Sequence, residues 1–207
     1  TFSIPSRTAL TGLLGAIIGL SKEEYLSHFR RDKAHIGVRL VTPVKKIRFS
    51  ENLIDTENAS KMNEIKNRTQ ISYEFLKNPH FRIYFAHGNP DTQKVARNLL
   101  SAHCSVYTPC LGLSEHIANF AYIGEYEAKE KQSEKVEIHT AIRSDEVGNL
   151  VFEPGRQYTA EIMPAEMADD RTVIDYSEVF FERNGSPIRA ENTWYWELGN
   201  GEHVTFL

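Results

Sequence analysis

The chain has 207 residues, 41% of them hydrophobic, and a net charge of −4. That much apolar material supports a true core and excludes an intrinsically disordered chain, while only two cysteines, Cys104 and Cys110, exclude a disulfide-built scaffold. The expectation is a soluble protein of a reducing cytoplasm, folded as one elaborated domain or two small ones.

Charge is distributed unevenly. Residues 1–50 carry +6, residues 51–104 carry +1 and residues 105–207 carry −11. Two arrangements fit this: the halves face different partners, with the basic one suited to phosphates, or opposite charges distant in sequence interleave in space.

The first element is a helix opening at Pro5 or Ser6. Leu10, Leu13, Leu14, Ile17 and Ile18 form one stripe at helical spacing, and Ala9, Gly12, Ala16 and Gly19 form another. Unpaired N–H groups at its start, beside Ser6, Arg7 and Thr8, make a candidate phosphate seat. A helix with this much glycine predicts a face that another backbone approaches closely. The apolar run from Ala9 to Leu20 also invites a secretory signal, but Ser21-Lys22-Glu23-Glu24 follows at once and reads as a capping box, not a cleavage site. The run is shorter than the about 20 residues a bilayer span needs, so no membrane is expected.

A short amphipathic helix is predicted from Ser21 to Arg31, then a strand from Ile36 to Phe49, bent at Pro43. Residues 49–67 form a polar insertion, and order returns at Arg68 to Pro79. A strand at Phe81–Ala86, a helix from Asn89-Pro90 to about His103 carrying Val95, Leu99 and Leu100 inward, a loop at Tyr107–Glu115 and a strand at Ala118–Glu127 follow. One more strand ahead of Thr1 would complete β-α-β-β-α-β, the ferredoxin-like order of an α+β fold. From Lys129 onward only strands are predicted: Val136–Ile142, Leu150–Phe152, Tyr158–Met163, Val173–Phe181, Ile188–Trp196 and Val204–Leu207. Asn184-Gly185 and Gly199-Asn200-Gly201 are hairpin signals. The expected division is a core over residues 1–128 and a β-rich C-terminal extension over 129–207.

Several constellations bear on chemistry. His103-Cys104, Cys110 and His116 make an H-C-x5-C-x5-H pattern that departs from zinc-ligand spacing, so buried, inert cysteines are expected and no metal. A metal-independent ribonuclease would need a base, an acid and a cation, for which His35 beside Lys33, or His28 with Tyr25 and Arg30, are candidates. Lys45, Lys46 and Arg48, with Arg68, Thr69 and Gln70, would form the base of a projecting hairpin suited to a phosphate backbone, Gln70 reaching a base edge. Tyr107 and Thr108 are suited to stacking on and hydrogen-bonding RNA, or equally to anchoring a loop.

Three segments, Phe2 to Gly19, Arg68 to Pro79 and Tyr107 to Ser114, together resemble the CRISPR-associated protein family five, in a form like that of subtype I-B Cascade. The resemblance implies an RNA-recognition-motif (RRM) core of the RAMP type, an inserted thumb hairpin and a β-rich extension. It implies a non-catalytic subunit that grips the 5′ handle of the crRNA, beside the backbone subunit and the large PAM-reading subunit, and meets target DNA only through the complex. The handle contacts it implies map onto Ser6, Arg7 and Thr8 and onto Lys45, Lys46, Arg48, Arg68, Thr69 and Gln70. No cofactor is implied. One branch of the family cleaves repeat RNA, which keeps an endoribonuclease as the alternative.

Overall fold

The computed structural model describes residues 1–54 and 68–207, so the middle of the predicted insertion, residues 55–67, lies outside the described residues. The first helix, α1 (Arg7–Ile18), forms as its sequence predicts. Ser6 caps it, its Oγ accepting the Ala9 N–H at 3.3 Å, and Gly19 ends it in the left-handed region at φ 86°. Leu10, Leu13, Leu14 and Ile17 are buried. Close packing accounts for part of the glycine stripe: a Cβ on Gly19 would lie 2.9 Å from Val106 Cγ1, whereas Gly12 faces open space; Gly15, off the stripe, packs as closely on Tyr25.

The second predicted helix is shorter than expected. Ser21 and Glu24 make the capping contacts, with Ser21 Oγ donating to Glu24 Oε2 at 2.7 Å, yet regular helix occupies only α2 (Tyr25–His28). The strand expected over 36–49 divides at Pro43 into β1 (Ala34–Leu40) and β2 (Lys46–Leu53). Proline has no N–H for a ladder, and the two pieces take different partners. After β3 (Thr69–Leu76) and β4 (Phe81–His87), β1 pairs with β4 and β2 with β3, both antiparallel. The helix α3 (Pro90–Ser101) starts on an Asn89 cap. Leu99 and Leu100 pack on the core as expected, but Val95 is 43% exposed and Thr92 and Ala96 take the buried positions.

Ala118–Glu127, expected as a strand, joins no ladder among the described residues. One isolated bridge, Cys110 to Ile117, precedes it, and Ala118 and Phe120 pack on the core while Tyr122, Ile123 and Tyr126 stay exposed. The remainder is β5 (Ala128–Ser133), β6 (Val136–Ile138), β7 (Ile142–Arg143), β8 (Asn149–Val151), β9 (Tyr158–Met167), β10 (Val173–Glu182), β11 (Ile188–Glu191), β12 (Thr193–Leu198) and β13 (His203–Val204). They form three sheets, ordered β7-β10-β9, β6-β11-β8 and β13-β12-β5. The mixture of few helices and many antiparallel strands is the expected α+β class. Asn184-Gly185 does not close a hairpin. It carries the chain from β10 in one sheet to β11 in another, its backbone held by the Glu182 carboxylate, which accepts from Asn184 N–H at 2.8 Å and Ser186 N–H at 3.1 Å. Gly199–Gly201 does join a paired β12 and β13.

The extension shares the core of the first half. Ala141, Met163, Val179, Phe181 and Leu207 are buried in one cluster with α1 and β1. Leu207 N–H donates to Ile36 O and Ala141 N–H to Val38 O, both at 2.8 Å. Gly37 sits between these bonds, where a Cβ would lie 2.8 Å from Thr205 O. Gly37→Ala should therefore cost about 1–3 kcal/mol, read as a lower urea midpoint at unchanged slope.

Part of the uneven charge is neutralised by interleaving. Arg31 pairs with Asp175 at 2.7 Å, Arg82 with Glu202 at 2.7 Å and Arg97 with Glu125 at 3.3 Å, in each case basic first half to acidic second half. Among the described residues no helix is long and apolar enough to cross a membrane.

Candidate nucleic-acid interface

The predicted phosphate seat at the start of α1 is closed. Ser6, Arg7 and Thr8 are buried, with 7%, 3% and 9% of their surface exposed. Arg7 Nη2 donates to Phe29 O at 2.7 Å and Ala34 O at 3.1 Å, and its Nη1 lies 4.0 Å from Glu166. Burial lowers its pKa to about 10, which leaves it charged at neutral pH. Ser6 Oγ is taken by the helix cap and by Thr8 Oγ1 at 3.0 Å. These groups hold α1 against the turn into β1, and Arg7 and Thr8 meet solvent only at the floor of a cleft of about 260 Å³ shared with Glu166 and Ile174.

The hairpin β2–β3 presents the opposite case. Every residue of β2 is exposed, and residues 45–54 with 68–77 hold five Lys/Arg against two Glu, a net of +3 in a chain of −4. Directly opposed residues of an antiparallel pair share a face, so the register divides the predicted contacts. Lys46, Arg48 and Gln70 lie on one side, Thr69 on the other. Lys46 and Arg48 converge on Glu74, with Nζ 3.1 Å and Nη2 2.7 Å from its oxygens. Arg48, then Lys46, holds the Glu74 carboxyl down at about 2, so the clamp is fully ionised at neutral pH. Lys45 and Arg68 are exposed, with no ion-pair partner among the described residues.

The loop after α3 reaches the base of the hairpin through His116, whose ring meets Phe75 edge-on at 4.6 Å. Tyr107, 53% exposed, lies instead against α1, its N–H donating to Ala16 O at 2.9 Å, and lines a cleft of about 430 Å³ with Gly12, Ala16 and Tyr25. Thr108 is exposed beside it. The two segments thus present separate surfaces. The expectation of buried cysteines does not hold: Cys104 is exposed and Cys110 half-buried. His103 stacks on Phe120 while His116 meets Phe75 edge-on, so the H-C-x5-C-x5-H residues point to different neighbours.

A family model described as CRISPR-associated protein (Cas_Cas5) matches residues 1–182. The chain belongs to that family. A crystal structure of a CRISPR protein from Archaeoglobus fulgidus is similar to this Cas_Cas5 chain with a TM-score of 0.55 at 11% identity, over 98% of this chain and 86% of the other. A chain of a CRISPR RNA-guided surveillance complex gives 0.50 at 13% identity, over 90% and 81%. At these identities the likeness is one of fold. No curated protein sequence matches.

In this Cas_Cas5 chain the residues considered for catalysis have different neighbours. His28 Nε2 lies 3.0 Å from Thr92 Oγ1, and its ring stacks on His87 at 4.7 Å. Burial, then His87 and Lys33, pushes His28 below its ordinary pKa. Lys33 Nζ donates to Ser27 O at 2.9 Å, Arg30 lies 3.6 Å from Asp32, and His35 packs against Phe206 at 4.9 Å. The residues that sequence reasoning missed are Phe49, Tyr73, Phe75 and Lys77. Their signal was the period-two alternation of Ile47 with Phe49 and of Ile71, Tyr73 and Phe75, on either side of the polar stretch.

Proposed function

We propose that this Cas_Cas5 protein is a non-catalytic subunit of a type I, subtype I-B-like, CRISPR surveillance complex (Cascade), where it holds the 5′ handle of the crRNA. The observation that carries this reading is the hairpin β2–β3: an exposed ribbon of net +3 on a chain of −4, built around family-like sequence from Arg68 onward. In this reading β1 and β4 under α1 and α3 belong to a ferredoxin-like, RRM-type RAMP core, and the hairpin is its thumb. Lys45, Lys46, Arg48, Arg68, Thr69 and Gln70 meet phosphates and base edges from it, with Tyr107 and Thr108 on the neighbouring loop. Ser6, Arg7 and Thr8 position α1 and do not touch RNA. The acidic extension and its exposed Trp194 face the other subunits, the backbone subunit and the large PAM-reading subunit, and target DNA is met only through the complex.

The test is incubation of the full chain with repeat RNA in chelator. Retention of intact RNA on a filter is the expected result. Site-specific cleavage lost on His28→Ala or His35→Ala would overturn the non-catalytic reading in favour of an endoribonuclease.

A further inference from the structure

The hairpin has a second face, turned away from the Glu74 clamp, which bears Lys45 and Thr69 of the contacts proposed above. Ile47 opposite Phe75, Phe49 opposite Tyr73, Glu51 opposite Ile71 and Leu53 opposite Thr69 lie on the side away from the Glu74 clamp. The rings there form an array: Tyr73 stacks on Phe75 at 5.4 Å and 14°, and Phe49 lies 5.1 Å from Phe75. Ile47 and Phe49 remain 39% and 41% exposed. At the base, Lys77 N–H donates to Lys45 O at 2.7 Å, which continues the register by one pair. Alternation therefore puts Lys45 and Lys77 on the aromatic side, and both are exposed without an ion-pair partner among the described residues.

A lone two-stranded ribbon is marginally stable in water, and among the described residues only His116, edge-on to Phe75, is seen against this apolar face, which makes it a candidate docking surface. Charge points to its occupant. The ring face carries Lys45 and Lys77 against Glu51, on a ribbon of net +3, and this fits a ligand that is anionic along its backbone and flat between its charges, as nucleobases on a phosphate chain are.

We propose that Phe49, Tyr73 and Phe75 form a stacking platform for unpaired bases of single-stranded RNA, with Lys45 and Lys77 on the adjoining phosphates. The inference rests on the RNA-holding reading above and adds how the bases are engaged: by their faces, with little regard to sequence.

The experiment uses the full chain and a single-stranded repeat oligoribonucleotide carrying 2-aminopurine at successive positions. Leucines at Phe49 and Tyr73 keep the face apolar and remove the rings; glutamines at Lys45 and Lys77 keep the rings and remove the charge. Each pair is first checked for an unchanged thermal midpoint. The platform predicts quenched 2-aminopurine in the wild type, and quenching lost with roughly 5- to 100-fold weaker binding at unchanged salt dependence in F49L/Y73L. K45Q/K77Q should bind more weakly with a shallower salt dependence. If F49L/Y73L binds and quenches like the wild type while K45Q/K77Q weakens, the platform is overturned and the RNA-holding reading stands. That outcome would assign the apolar face to a protein neighbour. If the wild type binds no RNA, both fail.

Discussion

Replacing Glu202 by alanine is expected to lower stability by about 2–3 kcal/mol, which for a chain of this size is a fall of roughly 5–10 °C in the thermal midpoint. Arg39 and Arg82 stand directly opposite each other in the β1–β4 register, two like charges on one sheet face. Glu202, only 9% exposed, reaches in from the turn between β12 and β13 and binds both through Oε1, while its Oε2 accepts from Tyr84 at 3.1 Å and Asn200 at 2.9 Å. Deleting it strands two guanidiniums side by side and detaches the last turn of the extension from the first half. Because Arg39 and Arg82 keep partial access to water, the loss falls below that of a fully buried pair. Glu197→Ala, which removes a solvated partner of Lys131 on the same sheet, should leave the midpoint where it is. Urea denaturation of the two variants separates the cases. Equal midpoints would mean that the Arg39–Glu202–Arg82 cluster does not join the two halves.

The second large effect concerns the hairpin and has a sign in each direction. Changing Lys45, Arg68 and Lys77 together to glutamine should reduce the salt dependence of RNA binding by about 2 units of log K against log salt, since each single-strand phosphate contact contributes about 0.7. Glu74→Gln should do the reverse. It removes the carboxylate that competes with phosphate for Lys46 and Arg48, and strengthens both contacts to a phosphate backbone. Tighter binding with a salt slope steeper by at most about 1.4 units is expected, measured by fluorescence anisotropy across salt concentrations. A general loss of affinity in E74Q would show that Glu74 orients Lys46 and Arg48 for RNA instead of withholding them.

The sequence made some of this legible and concealed the rest for identifiable reasons. Helix α1, its Ser6 cap and its apolar stripe follow from local chemistry, and so do Asn89-Pro90 at α3 and the Gly199–Gly201 hairpin. Local chemistry also suggested that Arg7 at a helix start would face an anion. Its actual partners are the carbonyls of Phe29 and Ala34, which tertiary folding brings to it and no local pattern announces. Strand β5, Ala-Lys-Glu-Lys-Gln-Ser, has almost no apolar residue to betray it and exists because β12 supplies a ladder. Ala118–Glu127 is the converse, an apolar stretch with strand composition that joins no ladder among the described residues. The hairpin was half visible: its cations drew attention, but sorting them by face required the register, which separates the Glu74 clamp from the side bearing Lys45, Lys77 and the rings.

The central claim, that this Cas_Cas5 protein holds the crRNA handle by its hairpin, is tested most directly in the native complex. RNA labelled with 4-thiouridine is cross-linked by light, and the attached peptides and nucleotides are sequenced together. Cross-links should join peptides spanning 45–54 or 68–77 to repeat-derived nucleotides at a uniform 5′ end. Links from those peptides to spacer nucleotides alone, or their absence while other subunits carry the 5′ end, would contradict it.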